Sequence, residues 1–570
     1  MANFNIDSEK NRTYDAIVIG SGISGGWAAK ELCDKGLKTL VLERGRNVEH
    51  IKDYPTATKA PWELPNADRV SPEEIKEHYP KQSRTGYTVR HSSKHWFVKD
   101  SEHPYQENKR FDWMRGYHVG GRSIMWGRHS YRWSDLDFEA NVKDGFGVDW
   151  PIRYKEIAPW YSYVEQFAGI QGQKEGLPQL PDSEFLPPIP MNCLEDHFKK
   201  RVAENFGGRM VTIGRTANLT QNHNGRGKCQ FRNKCVRGCP YGGYFSSNAA
   251  TLPAAAATGN MTLRPFSIAT EIMYDPETKR ATGVKVVDQE TKEEHEFYAK
   301  VIFCCASAVA STSILMNSKS DAFPEGMGNA SGELGHNLMD HHFRVGANGT
   351  YGGFADKYYY GRRPTGFYIP RFRNVDKSNE RKDYLRGYGY QGGGSRENWK
   401  SAVSELRFGA DFKESLATPG QWRMGMTAFG ECLPYHENKM MLDYDNLDQW
   451  GQPTVRFEAD FKENEMAMRK DMGDSAAEML EAAGFKDVSV YDAGSWPGLG
   501  IHEMGTARMG RDPKTSVLNA NNQLHEVPNV YVTDGACMTS ASCVNPSLTY
   551  MALTARAADH AVNELKKMNI

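Results

Sequence analysis

The 570-residue chain has no surplus of charge: 70 Lys and Arg stand against 71 Asp and Glu, a net charge of -1. That balance leaves no electrostatic footprint for nucleic acid or an anionic membrane surface, which argues against binding to such polymers. Cysteine is scarce, with 10 residues in the chain, too few for a disulfide scaffold. Two long uncharged runs, 301–318 and 535–555, are broken by Ser, Thr, Gly or Asn. Each reads as a buried strand leading through a loop into a helix, and no transmembrane segment is expected. The opening stretch MANFNIDSEKNRTYDAIVIG lacks a charged-then-apolar export pattern and a twin arginine, so the expectation is a chain without an export signal of its own. There is no H-E-x-x-H zinc motif, no repeat and no low-complexity linker. What remains, 39% hydrophobic and 25% charged residues over this length, suits a soluble globular protein of two or more lobes.

Against that background one unit is explicit. In YDAIVIGSGISGGWAAKELCDKGLKTLVLERG an apolar strand over 16–19 runs into Gly20, Gly22 and Gly25 of a G-x-G-x-x-G turn. A helix pattern over 24–33, a turn at Gly36 and a second strand over 39–42, ending at Glu43, complete a βαβ unit. The glycines allow a tight turn, the approach of a pyrophosphate to backbone N–H groups, and close helix–strand packing; the helix N-terminus favours the anion. Glu43 is placed to accept hydrogen bonds from the ribose hydroxyls of an adenosine. FAD and NAD share that half, so the turn does not choose between them.

The far end supplies a strand over 530–533 that stops at Asp534-Gly535, then a small-residue loop. A helix over 547–566 follows, with Asn545-Pro546 just before it. A strand end and a helix N-terminus suit a second phosphate or ribityl contact, to which Asp534, Gly535, Asn545, Pro546 and Thr549 are assigned. The alternative is a strand and helix that merely close the sheet.

GSGISG with Glu43, HVGGRSIMWGR at 118–128, LGHNLMDHH at 334–342, HEMGTARMG at 502–510 and the VTDGACM…NPSLT ending together resemble the glucose–methanol–choline (GMC) oxidoreductase family. The resemblance covers nearly the whole chain. It implies an α/β fold with a Rossmann-like FAD domain interleaved with a substrate domain on an antiparallel sheet with helices. The FAD domain would take 1–47, 109–133, 222–341 and 495–570, and the substrate domain 48–108, 134–221 and 342–494. It also implies oxidation of an alcohol carbon. A base must then take the hydroxyl proton, a role that suits neutral histidine, and a second group must hold the substrate oxygen. The family's motifs map these onto His502 as base and Asn545 as partner. Gly120, Gly121 and Ser123 join the FAD contacts, and Met125, where some relatives bond a histidine to flavin, implies non-covalent FAD. His341 and His342 read as structural. The rings of Tyr351, Phe354, Tyr358, Tyr359 and Tyr360 read mainly as packing in the sheet's own core, with stacking on sugar faces as the alternative.

One segment stands apart. GKCQFRNKCVRGCPYGG, 227–243, holds Cys229, Cys235 and Cys239. Zinc would need a fourth ligand, with His223 the nearest candidate; one disulfide would leave a thiol over; an iron–sulfur cluster can be held by three thiolates. The segment resembles the three-cysteine insertion of bacterial FAD-dependent sugar dehydrogenases, which implies a [3Fe-4S] cluster. It also implies electron exit to a cytochrome c-type acceptor, and a small companion subunit carrying the export signal. Periplasmic co-export follows from that partner; a cytoplasmic enzyme is the alternative. Arg226, Lys228, Arg232, Lys234 and Arg237 place positive charge around the thiolates, which would raise a cluster's potential. The block FDWMRGYHVGGRSIMWGRHSYRWSDLDF looks most like dehydrogenases that oxidise C3 of glucosides, with gluconate 2-dehydrogenase flavoproteins close behind. A C1 sugar dehydrogenase or an oxygen-using sugar oxidase is the alternative.

Overall fold

The computed structural model describes residues 12–358, 364–396, 408–417 and 419–570. Two sheets organise it. In the first, Met261–Arg264, Thr39–Leu42, Thr13–Ile19 and Glu294–Cys304 lie side by side and parallel, and Val530–Val532 pairs in parallel with the end of Glu294–Cys304. Thr39–Leu42 is buried at every position, as expected for a parallel strand covered on both faces. The long strand Glu294–Cys304 changes partners along its length: its first half pairs antiparallel with Arg280–Asp288, which in turn pairs with Ser267–Asp275. Helix Ile23–Asp34 connects Thr13–Ile19 to Thr39–Leu42, and the C-terminal helix Ser547–Lys566 packs on it.

Both uncharged runs fold as strand or loop into helix. Residues 301–318 end one strand and form helix Ala308–Asn317, and 535–555 form a short 3-10 turn, a loop and the start of the C-terminal helix. Among the described residues no helix is long and apolar enough to cross a membrane.

The second sheet is antiparallel throughout. Its order is Lys486–Asp492, His342–Tyr351, Trp422–Gly430, Tyr388–Arg396, Phe367–Ile369 and Thr212–Ile213. Strand alternation divides its faces. Tyr388, Tyr390, Met424 and Met426 point into a core closed by helices Cys193–Asn205 and Glu463–Ala482, whereas Gln391, Phe429 and Phe343 line the cavity on the other side. Tyr351 and Phe354 pack against that core, but Tyr358 is 63% exposed, against the expectation that it would pack there. Tyr359 and Tyr360 lie outside the described residues.

Candidate active site

Both sheets line one cavity of about 540 Å³. At one end the strand Thr13–Ile19 delivers Gly20, whose φ of +94° would strain any other residue. Gly22 caps helix Ile23–Asp34 with no side chain on its free N–H groups, and Gly22, Ile23 and Ser24 border the cavity. Those unsatisfied donors and the helix dipole make an anion site. Glu43 stands beside it: its Oε2 accepts from the Ser21 hydroxyl at 2.5 Å and the Ser21 N–H at 3.2 Å, and its Oε1 from the Gly45 N–H at 2.9 Å. Burial pushes the Glu43 carboxyl up, and these bonds oppose the shift. Ser21 Oγ also accepts from the Gly120 N–H at 2.9 Å, tying the 120–123 turn to the glycine turn.

Across the cavity, Asp534 accepts from Ser311 Oγ at 2.5 Å and from the Ala536 N–H at 3.0 Å, and burial pushes its carboxyl up to about 6. Gly20, Gly22, Glu43, Gly121, Ser123, Asp534, Gly535 and Asn545 all line the cavity, as does Met125. Gly25, Gly120, Pro546 and Thr549 do not. A Cβ on Gly25 would stand 1.9 Å from the Gly20 carbonyl oxygen, so its role is helix–strand packing. Gly120 lies against Asn248, Pro546 caps the C-terminal helix, and the Thr549 hydroxyl is taken up by Tyr161 at 2.7 Å. The buried polar atoms Arg44 Nε, Arg128 Nε and Tyr550 Oη belong to cavity residues and have no partner in the protein. Buried groups of that kind call for a ligand or water, and with the helix N-terminus and Glu43 they fit an extended dinucleotide.

His502 and Asn545 meet at the other end. Asn545 Nδ2 is 3.4 Å from His502 Nε2, and Asn545 Oδ1 accepts from Gln391 Nε2 at 2.7 Å. His341 was expected to be structural, yet its Nδ1 lies 2.9 Å from His502 Nδ1 and its Nε2 3.2 Å from the Ala541 carbonyl. Strand alternation explains the split between neighbours: His342 starts the antiparallel strand and packs its ring against Phe461, while His341 turns to the site. Burial, then His341, Arg122 and His129, pushes His502 well below the ordinary histidine value; burial takes His341 down to about 4. The segment bearing His502 is clamped twice. Asp340 accepts from the His502 N–H at 3.0 Å and the Gly500 N–H at 2.8 Å, and Arg122 grips Glu503 through two bonds of 3.0 and 2.8 Å. Burial, then the nearby Glu503, pushes the Asp340 carboxyl up to about 8.

Sequence reasoning assigned no role to Gln391, Arg122, Glu503 or Asp340. Arg122, Asp340 and Glu503 sit inside the motifs at 118–128, 334–342 and 502–510. Gln391 lies in a glycine-rich strand without a motif, and only the sheet register brings it to Asn545.

Family models described as GMC oxidoreductase match residues 14–343 and 434–554. The chain belongs to the GMC oxidoreductase family. It is an FAD-dependent oxidoreductase that acts on CH–OH groups. A 2-methyl-1,2-propanediol dehydrogenase from Mycolicibacterium austroafricanum is 29% identical over 96% of this chain and 94% of its own. The fructose dehydrogenase large subunit of Gluconobacter japonicus is 25% identical over 98% and 100%. The gluconate 2-dehydrogenase flavoprotein of Pantoea cypripedii is 24% identical over 95% and 92%. The fold is shared with a solved pyridoxine 4-oxidase from Mesorbium loti, at a TM-score of 0.57 and 16% identity over 96% of this chain and 98% of that one.

In this GMC enzyme the three clustered cysteines border a second, small cavity of about 30 Å³. All three are free thiols, and the Gly243 N–H donates to Cys239 Sγ at 3.3 Å. Burial pushes the Cys229 thiol up to about 11, with Cys235 and Cys239 adding to the shift. Among the described residues no three His, Cys, Asp or Glu side chains are grouped to hold a metal ion. His223 does not join the thiols, because its Nε2 faces the Gln166 carbonyl at 2.7 Å. The basic surround is thinner than the sequence suggests. Arg226 turns to the Ala168 carbonyl at 2.7 Å, Arg237 lies 3.7 Å from Asp68, and only Arg232 and Lys234 border the thiol cavity. The two cavities are neighbours: Val236, next to Cys235, lines the larger one. The Tyr244 hydroxyl reaches the carbonyls of Ile124 and, at 3.0 Å, Cys235.

Proposed function

We propose that this GMC enzyme is a dehydrogenase that oxidises a secondary hydroxyl of a sugar or glycoside, C3 of a glucoside being the preferred carbon. The observation that carries the reaction class is the His502–Asn545 pair beside a cavity whose far end fits a dinucleotide. The sugar class is supported by relatives named for fructose and gluconate, and the C3 preference by the 111–138 block. FAD bound without a covalent link, as Met125 implies, would supply the acceptor for the hydride that leaves the carbinol carbon. The protein's own part is proton and position. His502 Nε2 takes the hydroxyl proton, and the Asn545 amide N–H, fixed by Gln391, holds the developing alkoxide oxygen. Desolvation, with His341, Arg122 and His129 nearby, keeps His502 neutral and ready to accept.

Cys229, Cys235 and Cys239 would hold a [3Fe-4S] cluster, which supplies one-electron exit. Three thiols around one cavity, an N–H donor to sulfur and the contact of this loop with the larger cavity support that reading. Thiolates of a cluster bind separate irons, so they need not close on a single ion. A cytochrome c-type acceptor and a small signal-bearing companion, with periplasmic residence, complete it; a relative named a large subunit is in line with such a companion.

The identity with a diol dehydrogenase favours a second reading, an aliphatic alcohol substrate. Anaerobic absorption and EPR spectra of purified protein, before and after adding methyl glucosides, glucose, fructose, gluconate or 2-methyl-1,2-propanediol, separate the two. A sugar should bleach the flavin and change an iron signal, with the 3-keto product assigned by NMR. Bleaching by the diol alone overturns the sugar reading. Replacing Cys235 with Ser should stop electron exit and remove iron while sparing flavin reduction; unchanged iron content overturns the cluster.

A further inference from the structure

We propose that His341 is a positioning residue that fixes the tautomer of His502, so that the lone pair of the base sits on Nε2, toward the cavity. The inference rests on the reading of His502 as base and adds how its reactive nitrogen is chosen.

A neutral imidazole carries its proton on one nitrogen, and the hydrogen bond made by the other side of the ring decides which. Here the decision starts at a group with no choice. The Ala541 carbonyl can only accept, so His341 Nε2, 3.2 Å away, carries a proton. Buried His341 is neutral, which leaves its Nδ1 as a lone pair. That lone pair is 2.9 Å from His502 Nδ1, which therefore donates, and the remaining lone pair of neutral His502 falls on Nε2. The opposite end agrees independently: Gln391 occupies Asn545 Oδ1, so Asn545 turns its N–H toward His502 Nε2, an atom that must then accept. The Ala541 carbonyl and the Asn545 side chain lie on the same loop before the C-terminal helix, which fixes both ends of the chain of bonds to one backbone segment.

The charged neighbours do not compete for His502 Nδ1. Glu503 is engaged by Arg122, Asp340 by the backbone N–H groups of Gly500 and His502, and the His129 Nδ1 pairs with Tyr131 Oη at 3.1 Å. When the substrate hydroxyl proton moves to His502 Nε2, the Nδ1–H bond to His341 stays in place. His341 passes no proton; its lone pair faces the imidazolium that forms.

The test is nitrogen-15 NMR of histidine-labelled holoenzyme, with the His341 and His502 signals assigned by substitution. His502 should be protonated at Nδ1 and bare at Nε2, and His341 the reverse. His341→Leu should mix or reverse the His502 tautomer, whereas His341→Asn, which keeps an acceptor near the Nδ1 position, should retain it. In stopped-flow flavin reduction by the methyl glucosides, glucose, fructose, gluconate and diol above, His341→Leu should slow reduction by roughly 100-fold, the cost of a misplaced catalytic group, and His341→Asn should recover most of it. A proton on His502 Nε2 in the unchanged protein, or equal rates and tautomers in the Leu and Asn variants, overturns the proposal. His502→Ala with undiminished flavin reduction instead overturns the base assignment, a separate outcome.

Discussion

Asn545 shows its amide nitrogen to His502 Nε2 at 3.4 Å because its carbonyl oxygen is held by Gln391 at 2.7 Å. A flipped amide would present an acceptor to an acceptor. The C-terminal loop at the cavity and the antiparallel sheet therefore meet in one hydrogen bond, and the His502–Asn545 geometry holds only while both are in register.

Removing the base tests the pair directly. His502→Ala should lower the rate of anaerobic flavin reduction about 1000-fold, the usual scale for a positioned proton acceptor. FAD content should be unchanged. Gln391→Leu should give a smaller loss, about tenfold, because Asn545 loses its orientation and not its donor. Stopped-flow absorbance at the flavin band measures both, and a wild-type rate in either variant removes that residue from the mechanism.

The Arg122–Glu503 pair is a stability element next to His502. The Glu503 side chain is 1% exposed and that of Arg122 is 26% exposed. Arg122→Met leaves a buried carboxylate without its partner and should cost about 3 kcal/mol, the lower end for a broken buried pair because Arg122 is partly wet. The double change with Glu503→Gln should recover part of that loss. Urea denaturation of the holoenzyme reads both numbers.

Gly25 serves packing. With a Cβ 1.9 Å from the Gly20 carbonyl, Gly25→Ala must push helix Ile23–Asp34 away from the strand that carries Gly20. The expected result is loss of bound FAD, measured as the flavin-to-protein absorbance ratio.

The histidines set a pH dependence whose sign is fixed by burial. His502 is pushed well below its ordinary value, and the base form exists above that lowered value. Flavin reduction should thus be flat from about pH 6 to 8, with no limb near the ordinary histidine value of ~6.5. For stability, His50, His95, His118, His129 and His341 are held at about 3 or 4 by burial, so the unfolded chain binds protons that the folded chain refuses. Stability should fall as pH drops below ~6.5 toward those values. Asp340, at about 8, Asp534, at about 6, and the buried Glu43, Asp137 and Glu431, all raised, act in the opposite sense, but they are outnumbered once His103, His295, His336, His342, His502, His525 and His560, also lowered by burial, are added to the histidines. Melting temperatures between pH 7 and 5 check the net sign.

Local pattern alone located the glycine turn, the second strand at Thr39–Leu42 and the C-terminal helix at Ser547–Lys566. These are set by periodicity and by residues whose backbone needs are local, which is why they could be read. His341 and Gln391 could not. His341 differs from His342 only in which way a strand begins, and Gln391 reaches Asn545 across 154 positions of chain. The basic loop misled for a related reason: charge was visible in the sequence, but the carbonyls that capture Arg226 and the carboxylate near Arg237 came from distant segments.

By itself the sequence determined a dinucleotide turn and three clustered thiols, matters of residue type and short spacing, and its resemblance to a family singled out His502 and Asn545. Tertiary structure decided which atoms meet. A tautomer, an amide orientation and a buried ion pair depend on groups brought within about 3 Å by two sheets, and a hydrogen bond has no reach beyond that contact.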